Sequence, residues 1–120
     1  MSMFESFANF NWWLVVAALL FILLDFISGF IQAVANKELH SDKLRKGLFH
    51  KCGFILAIVF GLLCEWSIQF VDLGFDVPIA IAICAYIILT EITSIIENLG
   101  KLSPELASSS FMSIFKRDEK

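Results

Sequence analysis

Asp25, Glu65 and Glu91 each stand inside a long apolar stretch, and their type and placement could do chemistry. An acidic side chain within a membrane costs about 2.5–3.5 kcal/mol on insertion scales. It therefore marks an ion or proton path, a water-lined surface, or a polar contact between helices. The other reactive side chains point elsewhere. Cys52, Cys64 and Cys84 are odd in number, form no C-x-x-C pair and lie in apolar runs, which reads as buried free thiols. His40 and His50 are ten residues apart with no carboxylate cluster nearby, so no metal site is expected. No Gly-rich phosphate loop, His-Glu-x-x-His pair or nucleophile elbow occurs. We therefore expect no catalytic residue, no cofactor and no metal ligand, and a protein that is not an enzyme.

The elements that must position these acids follow from composition. Of 120 residues, 58% are apolar, 18% are charged and thirteen are Phe, whereas an average soluble domain is about 25% charged. So short a chain has too little interior to bury this load, and its solvent is lipid. The net charge of −3 argues against nucleic acid as a partner, because phosphate binding needs a basic stripe. Three apolar stretches cover about 12–35, 52–71 and 77–96. Each is long enough to cross a hydrocarbon core of roughly 30 Å. Trp12 and Trp13 open the first at headgroup level, and Pro78 sits in the first turn of the third. The first stretch carries Ala33-Val34-Ala35, but it has no Lys or Arg ahead of it and exceeds a signal-peptide core, so it is read as a retained span. The expected fold is a single all-α integral membrane domain of three transmembrane helices, with a basic loop over 36–51 and a tail over 97–120.

Orientation follows from the cations. Residues 1–11 contain no Lys or Arg, and neither does the connection over 72–76. The loop holds Lys37, Lys43, Arg45, Lys46 and Lys51, and the tail holds Lys101, Lys116, Arg117 and Lys120. The positive-inside rule places the N-terminus outside and the C-terminus inside. The five loop cations read as an anchor on the inner lipid surface or as a topology signal alone. Ser41 can cap an amphipathic helix that runs through Leu44 and Leu48 into the second span. A second amphipathic helix can start at Ser103-Pro104-Glu105 and place Ala107, Phe111, Ile114 and Phe115 on one face.

At about 100° per residue the polar positions fall into stripes. The first helix aligns Ala18, Asp25, Ser28, Gly29, Gln32 and Asn36; the second aligns Gly61, Glu65, Gln69 and Asp72; the third aligns Ala80, Cys84, Glu91, Ser94 and Asn98. Small residues permit close helix approach, and polar side chains bond across it. The stripes can glue helices into a bundle, or they can line water in an oligomer. Three acids with no basic residue within the spans to pair with them favour a wet or assembling surface. Asp25 and Glu91 lie at similar depth, about 20 Å from the outer ends, and could share a proton.

The run Asp25-Phe26-Ile27-Ser28-Gly29, then Asn36-Lys37-Glu38-Leu39-His40-Ser41, then Lys46-Gly47, resembles the phage holin family, toxin-secretion and phage-lysis type. Glu91-Ile92-Thr93-Ser94-Ile95-Ile96-Glu97-Asn98 is similar to that family's third-span motif, and Ser103-Pro104-Glu105-Leu106 to its Pro-containing tail. The tail departs from the pattern by being Ser-rich and balanced in charge. The resemblance implies a protein that oligomerises in the bacterial cytoplasmic membrane and opens a lesion. Through it an endolysin or a toxin leaves the cell, so the implied partners are the chain itself, membrane lipids and, functionally, that cargo. A small proton- or ion-coupled transporter or channel, and a non-porous membrane adaptor, are the alternatives; conductance and cargo release separate them.

Overall fold

The computed structural model describes residues 10–74 and 78–107, and among these there is no strand. Helix α1 (Trp12–Ala35) starts where the Asn11 side chain accepts the Trp13 N–H at 3.2 Å. It closes in a Schellman turn: the Lys37 N–H reaches the Val34 carbonyl at 3.2 Å and the Glu38 N–H reaches the Ala33 carbonyl at 2.7 Å. Lys37 takes φ +56 there, at the position glycine usually fills.

Helix α2 (Ser41–Ser67) begins four residues after Lys37, with the His40 carbonyl accepting the Leu44 N–H at 3.0 Å. The N-cap position is thus His40, and Ser41 is the first helical residue. The amphipathic segment expected in the loop is the opening of α2 itself. No proline interrupts residues 41–67, so the basic turns and the apolar run propagate as one rod. The helix stops at Ser67, whose carbonyl accepts both Phe70 N–H (2.9 Å) and Val71 N–H (3.0 Å). Beyond it, Asp72 Oδ1 accepts the Gly74 N–H at 2.9 Å, and Gly74 uses φ +83 to turn the chain.

Helix α3 (Ile79–Leu102) follows Pro78, whose carbonyl accepts the Ala82 N–H at 3.0 Å. It continues past the apolar run through Glu97 and Lys101 to an extended Ser103. One turn, α4 (Pro104–Ala107), follows with the Leu106 N–H on the Ser103 carbonyl at 2.9 Å. The expected tail face at Phe111, Ile114 and Phe115 lies outside the described residues.

The three main helices have 24, 27 and 24 residues, or about 36–40 Å at 1.5 Å per residue. All three are long and apolar enough to cross a membrane. Helix α3 is central: it packs along α1 and, less extensively, against α2, while α1 and α2 touch little. Ala18 and Ile22 of α1, Ile58 of α2, and Cys84 and Ile87 of α3 form the apolar core. Gly61 lets α2 close on α3, since a Cβ there would stand 3.2 Å from Ala80 Cα. Leu20, Leu23, Phe60, Leu63, Tyr86 and Leu89 turn outward and are more than half exposed. Facing lipid, these side chains supply no drive for helix association. Close packing and polar contacts must hold the three helices together.

Candidate functional site

The polar stripes of α1 and α3 face each other within one chain. Among the described residues, Asp25, Ser28 and Gln32 of α1 and Glu91 of α3 are the buried polar side chains, with Glu91 only 2% exposed. Asp25 lies thirteen residues into α1 and Glu91 twelve into α3, so both sit about 18–20 Å from the helix starts. Lys51 of α2 joins them. Its Nζ donates to Asp25 Oδ2 and, at 2.8 Å, to Glu91 Oε2. One ammonium thus bridges two carboxylates, and the triad carries a formal charge of −1.

Lys51 corrects two sequence expectations. It was grouped with Lys37, Lys43, Arg45 and Lys46 as a surface anchor, but it is turned inward; the other four are exposed. The spans themselves offer no basic residue to pair with the acids, yet Lys51, one residue ahead of the second span, stands between Asp25 and Glu91 where a shared proton was the alternative. The helical phase carried the signal. Lys51 is seven residues before the buried Ile58 and three before Phe54, which packs on the core, so all three share a face. Starting the second apolar stretch at Cys52 leaves Lys51 on the loop side of the boundary and hides that relation.

Hydrogen bonds extend the triad along the α1–α3 contact. Asn98 Nδ2 lies 3.0 Å from Asp25 Oδ1, 3.0 Å from Ser28 Oγ and 3.3 Å from the Asp25 carbonyl. Ser28 Oγ donates to that same carbonyl at 3.2 Å. Gly29 makes room, because a Cβ there would meet Asn98 Nδ2 at 3.3 Å. Further along, Asn36 Nδ2 donates to Gln32 Oε1 at 3.2 Å and reaches the Lys101 carbonyl at 3.5 Å. Among the described residues no buried side-chain nitrogen or oxygen lacks a partner. In an apolar solvent that satisfaction is required, since an orphaned polar group costs several kcal/mol.

The second helix's stripe does not join this network: Gly61 packs on Ala80 of α3, away from the triad. Glu65 is half-buried and makes no ion pair among the described residues. Gln69 Nε2 donates to the nearby Trp66 carbonyl at 3.1 Å, and Asp72 serves the turn at Gly74. Ser94 is half-buried beside Asn98 on α3 and lines the same inter-helix space. No group of three His, Cys, Asp or Glu side chains among the described residues could hold a metal ion.

Buried ion pairing of three helices, polar stripes turned inward and lipid-facing apolar flanks describe a small membrane bundle held together by polar contacts. A family model for the bacteriophage holin family matches residues 2–109. The chain belongs to the bacteriophage holin family. No curated protein matches this holin, and no solved structure does. Holins are membrane-permeabilising proteins and not enzymes. With three apolar helices, this one is a protein of the cytoplasmic membrane.

Proposed function

We propose that this holin gathers with copies of itself in the bacterial cytoplasmic membrane and opens a lesion through which an endolysin or a secreted toxin passes. The observation that carries the reading is the segregation of its surfaces. Each of α1 and α3 has one polar stripe and an otherwise apolar surround, and the two stripes are closed against each other by Lys51, Asp25, Glu91 and Asn98. The chain in this arrangement is a sealed protomer. If α1 and α3 part, Asp25, Ser28, Gln32, Glu91, Ser94 and Asn98 turn to water while Leu20, Leu23 and Leu89 stay in lipid. Many opened protomers can then tile the wall of a hole, with the triad's charges hydrated. Hydration removes the burial penalty that the ion pairs offset in the sealed form. Lysine and arginine placement supports an outside N-terminus and an inside C-terminus.

The test is induced expression in a bacterium holding a cytosolic muralytic enzyme without its own export signal. Culture density, membrane potential and enzyme release are followed together. Abrupt loss of potential with enzyme escape and lysis is expected, and Asp25→Leu should delay or abolish it. The membrane-embedded ion triad also suits a small ion or proton pathway; loss of potential with retained enzyme would favour that reading. Good membrane expression with no change at all would favour an adaptor.

A further inference from the structure

Where the hairpin between α1 and α2 meets the last turns of α3, the helices border a half-open cavity of about 490 Å³. That volume falls within the roughly 300–1,000 Å³ of small-molecule sites. Asp25 and Lys51 form its inner end, and Lys43, Lys46 and Lys101 line its rim. Those three rim lysines have no ion pair among the described residues. Among the described residues Glu38 is the one acid lining the rim, which leaves these rim side chains net cationic. One wall is aromatic: Phe26 and Phe30, one helical turn apart on α1, stack with ring centroids 6.5 Å apart. Phe30 is also exposed on the outer surface of the bundle, so this wall opens towards lipid.

A cationic rim beside an apolar wall that runs into the bilayer matches an amphiphile with an anionic head. We propose that the cavity binds the phosphate headgroup of an anionic membrane lipid, with Lys43, Lys46 and Lys101 at the phosphate and Phe26 and Phe30 along the first acyl carbons. A free phosphate ion would leave the aromatic wall unused, and a zwitterionic head would bring a second cation to an already cationic rim. Lys43 and Lys46 belong to α2 and Lys101 to α3, so one headgroup ties the two helices together directly beside the triad.

The test is native mass spectrometry of the full chain in detergent, titrated with phosphatidylglycerol, with phosphatidylcholine, and with inorganic phosphate as competitor. Helicity of every variant is checked by circular dichroism. One phosphatidylglycerol per chain should be retained, at least about tenfold better than phosphatidylcholine. Lys43→Gln/Lys46→Gln should weaken it by about thirtyfold, from the usual attraction of two surface lysines to anionic lipid. Gly47→Leu keeps every charge but projects into open space at the cavity wall, and it should weaken binding as well. Lys37→Gln/Arg45→Gln removes the same charge away from the cavity and should leave binding within about threefold. Equal weakening by the two double variants, or no effect of Gly47→Leu, would replace the site by diffuse surface attraction. Equal retention of phosphatidylcholine, or displacement of lipid by an equal concentration of inorganic phosphate, would also overturn it.

Discussion

Lys51→Met is the sharpest perturbation of the sealed protomer. Methionine keeps the length and helix propensity of the side chain but removes the ammonium between Asp25 and Glu91. Breaking a buried ion pair by deleting one partner costs about 3–5 kcal/mol, because it strands the remaining charge. Two carboxyl groups are stranded here, one of them almost fully buried. Alternative partners within a membrane soften such losses, so the lower end, about 3 kcal/mol, is the working figure. At 1.4 kcal/mol per tenfold, the open form should gain about a hundredfold in population. Cys84 reports it. The thiol is fully buried between the helices and turns to water if α1 and α3 part. In a Cys52→Ser/Cys64→Ser background of the full chain in vesicles, a water-soluble maleimide should label Cys84 about a hundredfold faster in Lys51→Met. The neutral triple change Asp25→Asn/Lys51→Met/Glu91→Gln strands no charge and should return the rate towards that of the parent. Labelling of Lys51→Met within threefold of the parent would refute the argument, and would mean that the two carboxyls settle by sharing a proton.

Other substitutions separate the remaining contacts. Asn98→Ala removes the donor to Asp25 and Ser28 and should cost about 0.6–1.7 kcal/mol, a several-fold rise in Cys84 labelling. Gly61→Ala pushes a methyl to 3.2 Å from the Ala80 backbone, an overpacking worth about 1–3 kcal/mol, and should lower the thermal midpoint in detergent. Lys37→Gly relieves the left-handed backbone at the end of α1 and should raise that midpoint modestly, by up to about 1 kcal/mol of stability. Glu65→Gln touches no ion pair among the described residues, so lysis timing should not change.

The stripes on α1 and α3 were legible because a 3.6-residue period fixes which side chains share a face, whatever the surroundings. Ala18, Asp25, Ser28 and Gln32 on α1, and Ala80, Cys84 and Glu91 on α3, are buried on those faces. Their orientation towards each other was not legible, because periodicity gives a face and not its partner. Lys51 falls outside the apolar stretch for a different reason. Hydropathy begins a span where cations stop, but a helix stops where its backbone is broken, and nothing breaks the backbone between Ser41 and Ser67. On α2 the same period overreached: Glu65 and Gln69 align with Gly61, yet they lie near the end of the helix, beyond the reach of the α1–α3 network. The matching segment Asn36-Lys37-Glu38-Leu39-x-Ser41 now has a local cause, being the Schellman turn followed by the start of α2.

The central claim is that the stripes seal one another in the protomer and part to make the hole. Ser28 Oγ and Asn98 Nδ2 lie 3.0 Å apart across α1 and α3, so cysteines at these two positions, with the native cysteines replaced by serine, can be joined by a short, disulfide-containing bis-thiol cross-linker that staples the helices. Vesicles loaded with a muralytic enzyme are followed for release before and after reduction. The stapled chain should hold potential and enzyme, and the same chain should release both once reductant is added. Equal release in the two states would contradict it, because the hole would then form with α1 and α3 still joined.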